Sequence, residues 1–203
     1  MYCCFFDVDG VLLDFERGFM KSVKKYFKLD IPEGFSSNSF WFSDFLTKEQ
    51  VLEGWDYFIH SKEFEKLQPM VDPKHFNRKF GSFPVHFITN IPPDCLERRK
   101  TNLRQVGFKF DSAHCAGFIN YDGHPAQTKA DVIMKLQQKE EKILFVDDHP
   151  DNCLNVCDSF PEAEIWLMSR PFNDDFEHPK ILRARDWSDV FKYSQITPSP
   201  NQT

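Results

Sequence analysis

Three apolar runs in this chain stop abruptly on polar or acidic residues. Tyr2–Phe6 runs into Asp7-Val8-Asp9-Gly10, Val85–Ile88 into Thr89-Asn90, and Lys142–Val146 into Asp147-Asp148. Short apolar runs bounded in this way read as buried strands. Between them the period changes. Phe15, Phe19, Val23 and Phe27 recur every fourth residue with lysines between them, which predicts an amphipathic helix over 15–29. Pro92–Val106, with proline near its start and Gly107 after its end, reads as a second helix, and 129–139 and 151–160 as two more. Ser112–Phe118 and Glu164–Met168 complete the strands. Strands alternating with helices predict an α/β fold, a Rossmann-like three-layer parallel sheet covered on both faces. Parallel strands bring their carboxyl ends to one edge, so acids 140 residues apart converge there. Ligands of open α/β sheets bind at that edge, at the switch point of the strand order.

The 203 residues fit one medium domain carrying a small insertion. The expected core spans 1–14 and 78–193. The insertion spans 15–77 as short helices and loops rich in aromatics, and a polar, disordered tail starts at Ser194. A net charge of −6 argues against a nucleic-acid polymer or an anionic membrane as partner. The opening run Met1–Phe6 is too short to span a membrane and has no basic segment before it, so a cytoplasmic protein is expected. The six cysteines form no CxxC pair and no zinc-like cluster with histidine. They read as small buried apolar residues of a reducing compartment.

Four carboxylates at one edge, Asp7, Asp9, Asp147 and Asp148, repel each other and need a cation beyond Lys129. Hard oxygen ligands without His or Cys favour Mg²⁺, completed by a substrate phosphate. A carboxylate beside Mg²⁺ and phosphate can act as nucleophile, forming an aspartyl-phosphate. A second acid two residues on can protonate the leaving oxygen and then activate water. The Thr89 hydroxyl and nearby backbone N–H groups can hold the phosphoryl oxygens. The DVDG stretch is not a calcium loop, because Gly10 comes too early and a strand precedes it. VDDHP is not a receiver domain, because too little chain follows. His149 either touches substrate or only occupies a loop, and His86 reads as structural. Phe19, Val23 and Phe27 read as the insertion's own core, whereas Phe15, Phe40, Trp41 and Phe42 read as a stacking wall for a base.

The segments Phe5-Phe6-Asp7-Val8-Asp9-Gly10-Val11-Leu12, Ile88-Thr89-Asn90, Lys129 and Val146-Asp147-Asp148 resemble the four ordered motifs of the haloacid dehalogenase superfamily. The resemblance covers essentially the whole chain. It implies that Asp7 is the nucleophile and Asp9 the general acid/base, with Thr89, Asn90 and Lys129 on the phosphate. Mg²⁺ would be held by Asp7, the Asp9 carbonyl and Asp148, with Asp147 ligating directly or through water. Asp151 or Asn152 would complete the site. The insertion resembles a helical type 1 cap. DVDGVLLDFE, Asp7 to Glu16, is also similar to the 5′(3′)-deoxyribonucleotidases, which implies that Phe15 faces a nucleobase. Thr89-Asn90 departs from the Thr-Ser usual there. The expected activity is that of a phosphomonoesterase acting on nucleoside or deoxynucleoside monophosphates. Alternatives are a phosphatase or mutase acting on sugar phosphates or phosphoglycolate, and a non-catalytic phosphate-binding module. A dehalogenase would leave Asp9 without a role.

Overall fold

The structure is a computed structural model that describes residues 1–32, 34, 36–117, 127–138 and 141–196. Its centre is a six-stranded parallel sheet in the order β3-β2-β1-β4-β5-β6. The strands are β1 (Tyr2–Phe6), β2 (Val85–Thr89), β3 (Ser112–Cys115), β4 (Lys142–Asp147), β5 (Glu164–Met168) and β6 (Ile181–Ala184). This is the doubly wound α/β order, in which the strand order reverses between β1 and β4. Phe6 pairs with Val146 across that gap, so Asp7 emerges beside Asp147.

Alternation along each strand separates two cores. Cys4 and Phe6 of β1 and Leu144 and Val146 of β4 face one cluster. Cys3, Phe5, Ile143 and Phe145 face the other, with Cys153, Val156 and Cys157 of α6 (Pro150–Ser159). All six cysteines are free thiols, and five are buried. Both faces of the sheet are apolar because helices cover both.

Helix α1 (Phe15–Phe27) begins on an Asp14 N-cap and ends where Lys28 turns left-handed. Helix α2 (Lys48–His60) packs beside it. A short 3₁₀ turn, Glu63–Glu65, leads the chain back. Helix α3 (Pro73–Phe80) corrects the expected insertion boundary of residue 77. Its Phe76 and Phe80 rings each lie 4.9 Å from the Phe6 ring and also meet Trp187, so α3 belongs to the sheet's core. Helix α4 (Leu96–Val106) ends on Gly107, whose φ of 104° suits a glycine cap. Helices α5 (Lys129–Leu136) and α7 (Trp187–Tyr193) complete the set.

Ser194 and Ile196, expected within the disordered tail, pack on the core. Ile196 is buried, and its carbonyl accepts a 2.8 Å hydrogen bond from Lys79 Nζ. Residues 197–203, like Phe118 of the predicted third strand and residue 139 of the predicted third helix, lie outside the described residues. Among the described residues, no helix is long and apolar enough to cross a membrane.

Candidate active site at the carboxyl edge of the sheet

Asp7 leaves β1 with its backbone N–H donating to Val146 O at 2.8 Å, which locks it against β4. Asp147 is the last residue of β4. Lys129 opens α5, where Thr128 and Asp131 form a reciprocal capping box that fixes the first turn. Its buried ammonium donates to Asp7 Oδ1 and, at 2.6 Å, to Asp147 Oδ2. The other Asp147 oxygen accepts from His149 N at 2.8 Å and from Asn152 Nδ2 at 3.2 Å. Asn152 thus faces the site, while Asp151 is exposed and lies 4.0 Å from the His149 ring.

The neighbouring Asp148 is turned to Gly10. A Cβ on Gly10 would lie 2.2 Å from Asp148 Oδ2, and its φ is 90°, so the position requires glycine on both counts. Arg170, just past β5, donates to Gly10 O and holds its Nε 3.9 Å from Asp148 Oδ2. Asn173 Nδ2 supports the same turn through Asp148 O at 2.7 Å.

Oxygens of Asp7, Asp147 and Asp148 lie within 4.8 Å of one another, all buried. Burial drives the Asp7 carboxyl well above its ordinary range; Lys129 opposes the shift, and Asp147 and Asp148 add to it. Burial also pushes Asp148 up to about 7, against the pull of Arg170. Burial works to lower Lys129, but Asp147 and Asp7 override it and raise it. The partners respond unequally because one ammonium faces three acids: Lys129 is held charged, whereas Asp7 and Asp148 are pushed towards their neutral forms. A cluster of hard oxygen donors short of positive charge fits a divalent cation such as Mg²⁺.

Asp9 stands apart from that cluster. Its Oδ2 accepts from the buried Thr89 hydroxyl at 2.7 Å. Its Oδ1 lies 2.9 Å from Arg99 Nη2, an ion pair whose angle misses hydrogen-bond geometry. Thr89, expected on the phosphate, is therefore bonded to the acid beside it. Asn90 packs against Gly117, where a Cβ would come within 2.6 Å of its side chain.

The expected aromatic wall is divided. Phe15 is half-buried, stacked on Phe19 at 5.6 Å and 11° and flanked by Trp55 and Phe58, each at 5.7 Å. Trp41 is 52% exposed and meets the edge of Phe40. It is Phe40 that reaches the sheet edge, 4.9 Å from the His149 ring and 5.4 Å from Phe172. His149 is therefore part of a wall, and burial lowers its pKa. Arg99 and Arg170 were not foreseen. Arg170 was findable, since it follows a strand at the same carboxyl edge. Arg99 sits in the run Arg98-Arg99-Lys100, which has the composition of a solvated helix face.

This six-stranded parallel sheet with its flanking helices matches the fold of haloacid dehalogenase-like hydrolases. Solved structures of that fold match nearly the whole chain. One is a putative hydrolase of this type from Bacillus subtilis bound to magnesium, with TM-score 0.58 and 13% identity over 94% of this chain and 96% of that one. An L-2-haloacid dehalogenase matches with TM-score 0.56 and 12% identity over 94% and 98%. A putative β-phosphoglucomutase from Thermotoga maritima matches with TM-score 0.53 and 17% identity over 94% and 97%. No protein-family model matches the sequence, and no curated protein matches it significantly.

Proposed function

We propose that the protein is a Mg²⁺-dependent phosphomonoesterase working through an aspartyl-phosphate on Asp7. The observation that carries the reading is the meeting of Asp7, Asp147 and Asp148 around Lys129 at the β1/β4 switch point, with a separate acid, Asp9, held by Thr89. An Asp7 oxygen attacks phosphorus while the ester P–O bond breaks, and Asp9 gives its proton to the leaving oxygen. Water then attacks the phosphoryl group and returns a proton to Asp9, releasing phosphate and free Asp7. Lys129 offsets the charge that gathers between the acids and the phosphate.

Asp7, the Asp9 carbonyl and Asp148 would hold Mg²⁺. Both Asp147 oxygens are already engaged by Lys129, His149 and Asn152, which favours Asp148 as the ligand of that pair. When bound, the cation supplies charge that lets phosphate approach a nest of carboxylates. Displacing halide from carbon needs no proton donor, so a pinned Asp9 favours phosphoester over haloacid as substrate.

The substrate is a small phosphomonoester. Similarity of DVDGVLLDFE to the deoxyribonucleotidases points to nucleoside monophosphates; the packing of Phe15 into the insertion favours sugar phosphates equally. Phosphate release across both substrate groups with Mg²⁺, with EDTA and with Asp7→Asn tests the reading. Release from at least one group, abolished by EDTA and by the variant, is expected. Protein that binds phosphate and Mg²⁺ yet releases nothing, or a fully active Asp7→Asn, refutes it.

A further inference from the structure

Arg99 is fully buried, and its surroundings are those of a group aimed at a carboxylate. Its guanidinium carbon lies 3.9 Å from the Phe64 ring centroid, in cation–π range. Its Nη1 donates to Phe64 O at 2.7 Å and to Asn102 Oδ1 at 3.2 Å. Asn102, one turn on, clamps Leu67 through both its backbone N–H and its carbonyl at 3.1 Å. One arm of the guanidinium is therefore tied to the segment that returns from the insertion. Among the described residues, Nε and Nη2 have no partner in hydrogen-bond geometry, and Nη2 faces Asp9 Oδ1 at 2.9 Å. A buried cation left without a counter-charge is strongly disfavoured, so the carboxylate of Asp9 is its electrostatic partner.

We infer that Arg99 is a positioning residue for Asp9, fixing the orientation of the proton-transferring carboxylate and linking that orientation to the returning segment at Phe64–Leu67. The inference rests on the phosphomonoesterase reading of the site. Three parts of the chain meet on one carboxylate: Thr89 of β2 holds one oxygen, Arg99 of α4 holds the other, and Phe64 backs Arg99. With one oxygen hydrogen-bonded and the other in an ion pair, turning of the carboxylate about its own axis is restrained. Without Arg99, Asp9 keeps its Thr89 bond but swings about it.

The proton balance makes this separable from a merely structural role. Cleaving an alkyl phosphate requires that the departing oxygen take a proton from Asp9. Cleaving p-nitrophenyl phosphate releases a stable phenolate that needs none, although water attack on the aspartyl-phosphate still needs Asp9 as base. Arg99→Met is therefore expected to lower kcat on an alkyl phosphomonoester by about 100-fold, with KM within about threefold, because general acid catalysis contributes that much. The first-turnover burst of p-nitrophenolate should survive, followed by a slowed steady state. In an Asp9→Asn background, Arg99→Met should lower kcat no further.

Arg99→Lys keeps the charge and should recover part of the alkyl activity. Phe64→Leu leaves Arg99 in place and should show the same leaving-group bias more weakly; these two variants carry the test if Arg99→Met does not fold. Equal loss on both esters with loss of the burst, or additive losses with Asp9→Asn, overturns the inference and leaves Arg99 as a clamp. A wild type inactive on every ester instead refutes the reading of the site, and the role of Arg99 falls with it.

Discussion

Asp148→Asn should make the metal-free protein more stable, although it removes a polar contact from the heart of the site. Burial pushes the Asp148 carboxyl up to about 7 from an ordinary 3.8, and Arg170 at 3.9 Å offsets part of this. An acid whose folded pKa is raised stabilises the fold below its unfolded pKa and loses that contribution as pH rises through the folded one. At pH 8, without metal, ionised Asp148 costs the fold on the order of 4 kcal/mol relative to the unfolded chain. The neutral amide removes that cost, in which the attraction of Arg170 is already counted. The expected net gain is about 4 kcal/mol at pH 8, falling to under half of that at pH 5, where the folded acid is protonated. Urea unfolding in EDTA at the two pH values measures it. Adding Mg²⁺ at pH 8 should reverse the order, because binding stabilises the wild type by mass action and the variant has lost a ligand. A variant no more stable than wild type at pH 8 in EDTA would show that the three acids are not in electrostatic conflict, and the argument for a cation would go with it.

Gly10→Ala places a methyl group 2.2 Å from Asp148 Oδ2 at a φ of 90°, so Asp148 must move; Mg²⁺ affinity by calorimetry should fall at least tenfold, and an unchanged affinity would remove Asp148 from the ligand set. Phe40→Ala removes two edge-to-face contacts at the sheet edge, each about 1 kcal/mol, and should raise KM about tenfold. Trp41→Ala, at a half-exposed ring, should leave KM within twofold; the opposite ranking would restore Trp41 to the wall.

Strand ends were the most legible part of the fold. An apolar run that stops on an acid marks both the strand and the edge where it terminates, and β5 spans the same Glu164–Met168 that its apolar run delimits. Strand β6 was missed because Ile181–Ala184 is only four residues long and carries exposed Leu182 and charged Arg183, which breaks the apolar run. The boundary of the insertion failed at α3 for a different reason. Phe76 and Phe80 at four-residue spacing declare a buried helical face, but spacing is silent on which core receives it; here it is the one under Phe6 and Trp187. The candidate acids were readable because the proposed chemistry needs them next to strand ends. Arg99 was not, because a helix carrying Arg98, Arg99 and Lys100 gives no sign of which cation turns inward, and that depends on Phe64 arriving from 35 residues away.

The aromatics of the insertion acquire a role once their partners are known. Phe42 is held at φ 56°, a left-handed conformation that costs a bulky residue about 1–2 kcal/mol. What holds it there is packing: its ring lies 4.9 Å from Phe19 and 6.3 Å from Phe15, within the stack that Trp55 and Phe58 enclose. Its backbone N–H closes a turn on Ser39 O at 2.9 Å, and Phe40 and Trp41 sit at the tip of that turn. Phe15 and Phe19 thus act on the site at one remove, as the bed that fixes a strained turn, and the turn in turn delivers Phe40 to His149 and Phe172. Phe40 meets the His149 and Phe172 rings at the edge at 87° and 83°. Interlocked edges of this kind offer no flat platform of stacked rings. If the Phe40 turn borders the substrate, substitutions within the buried stack should change selectivity through that turn without touching substrate.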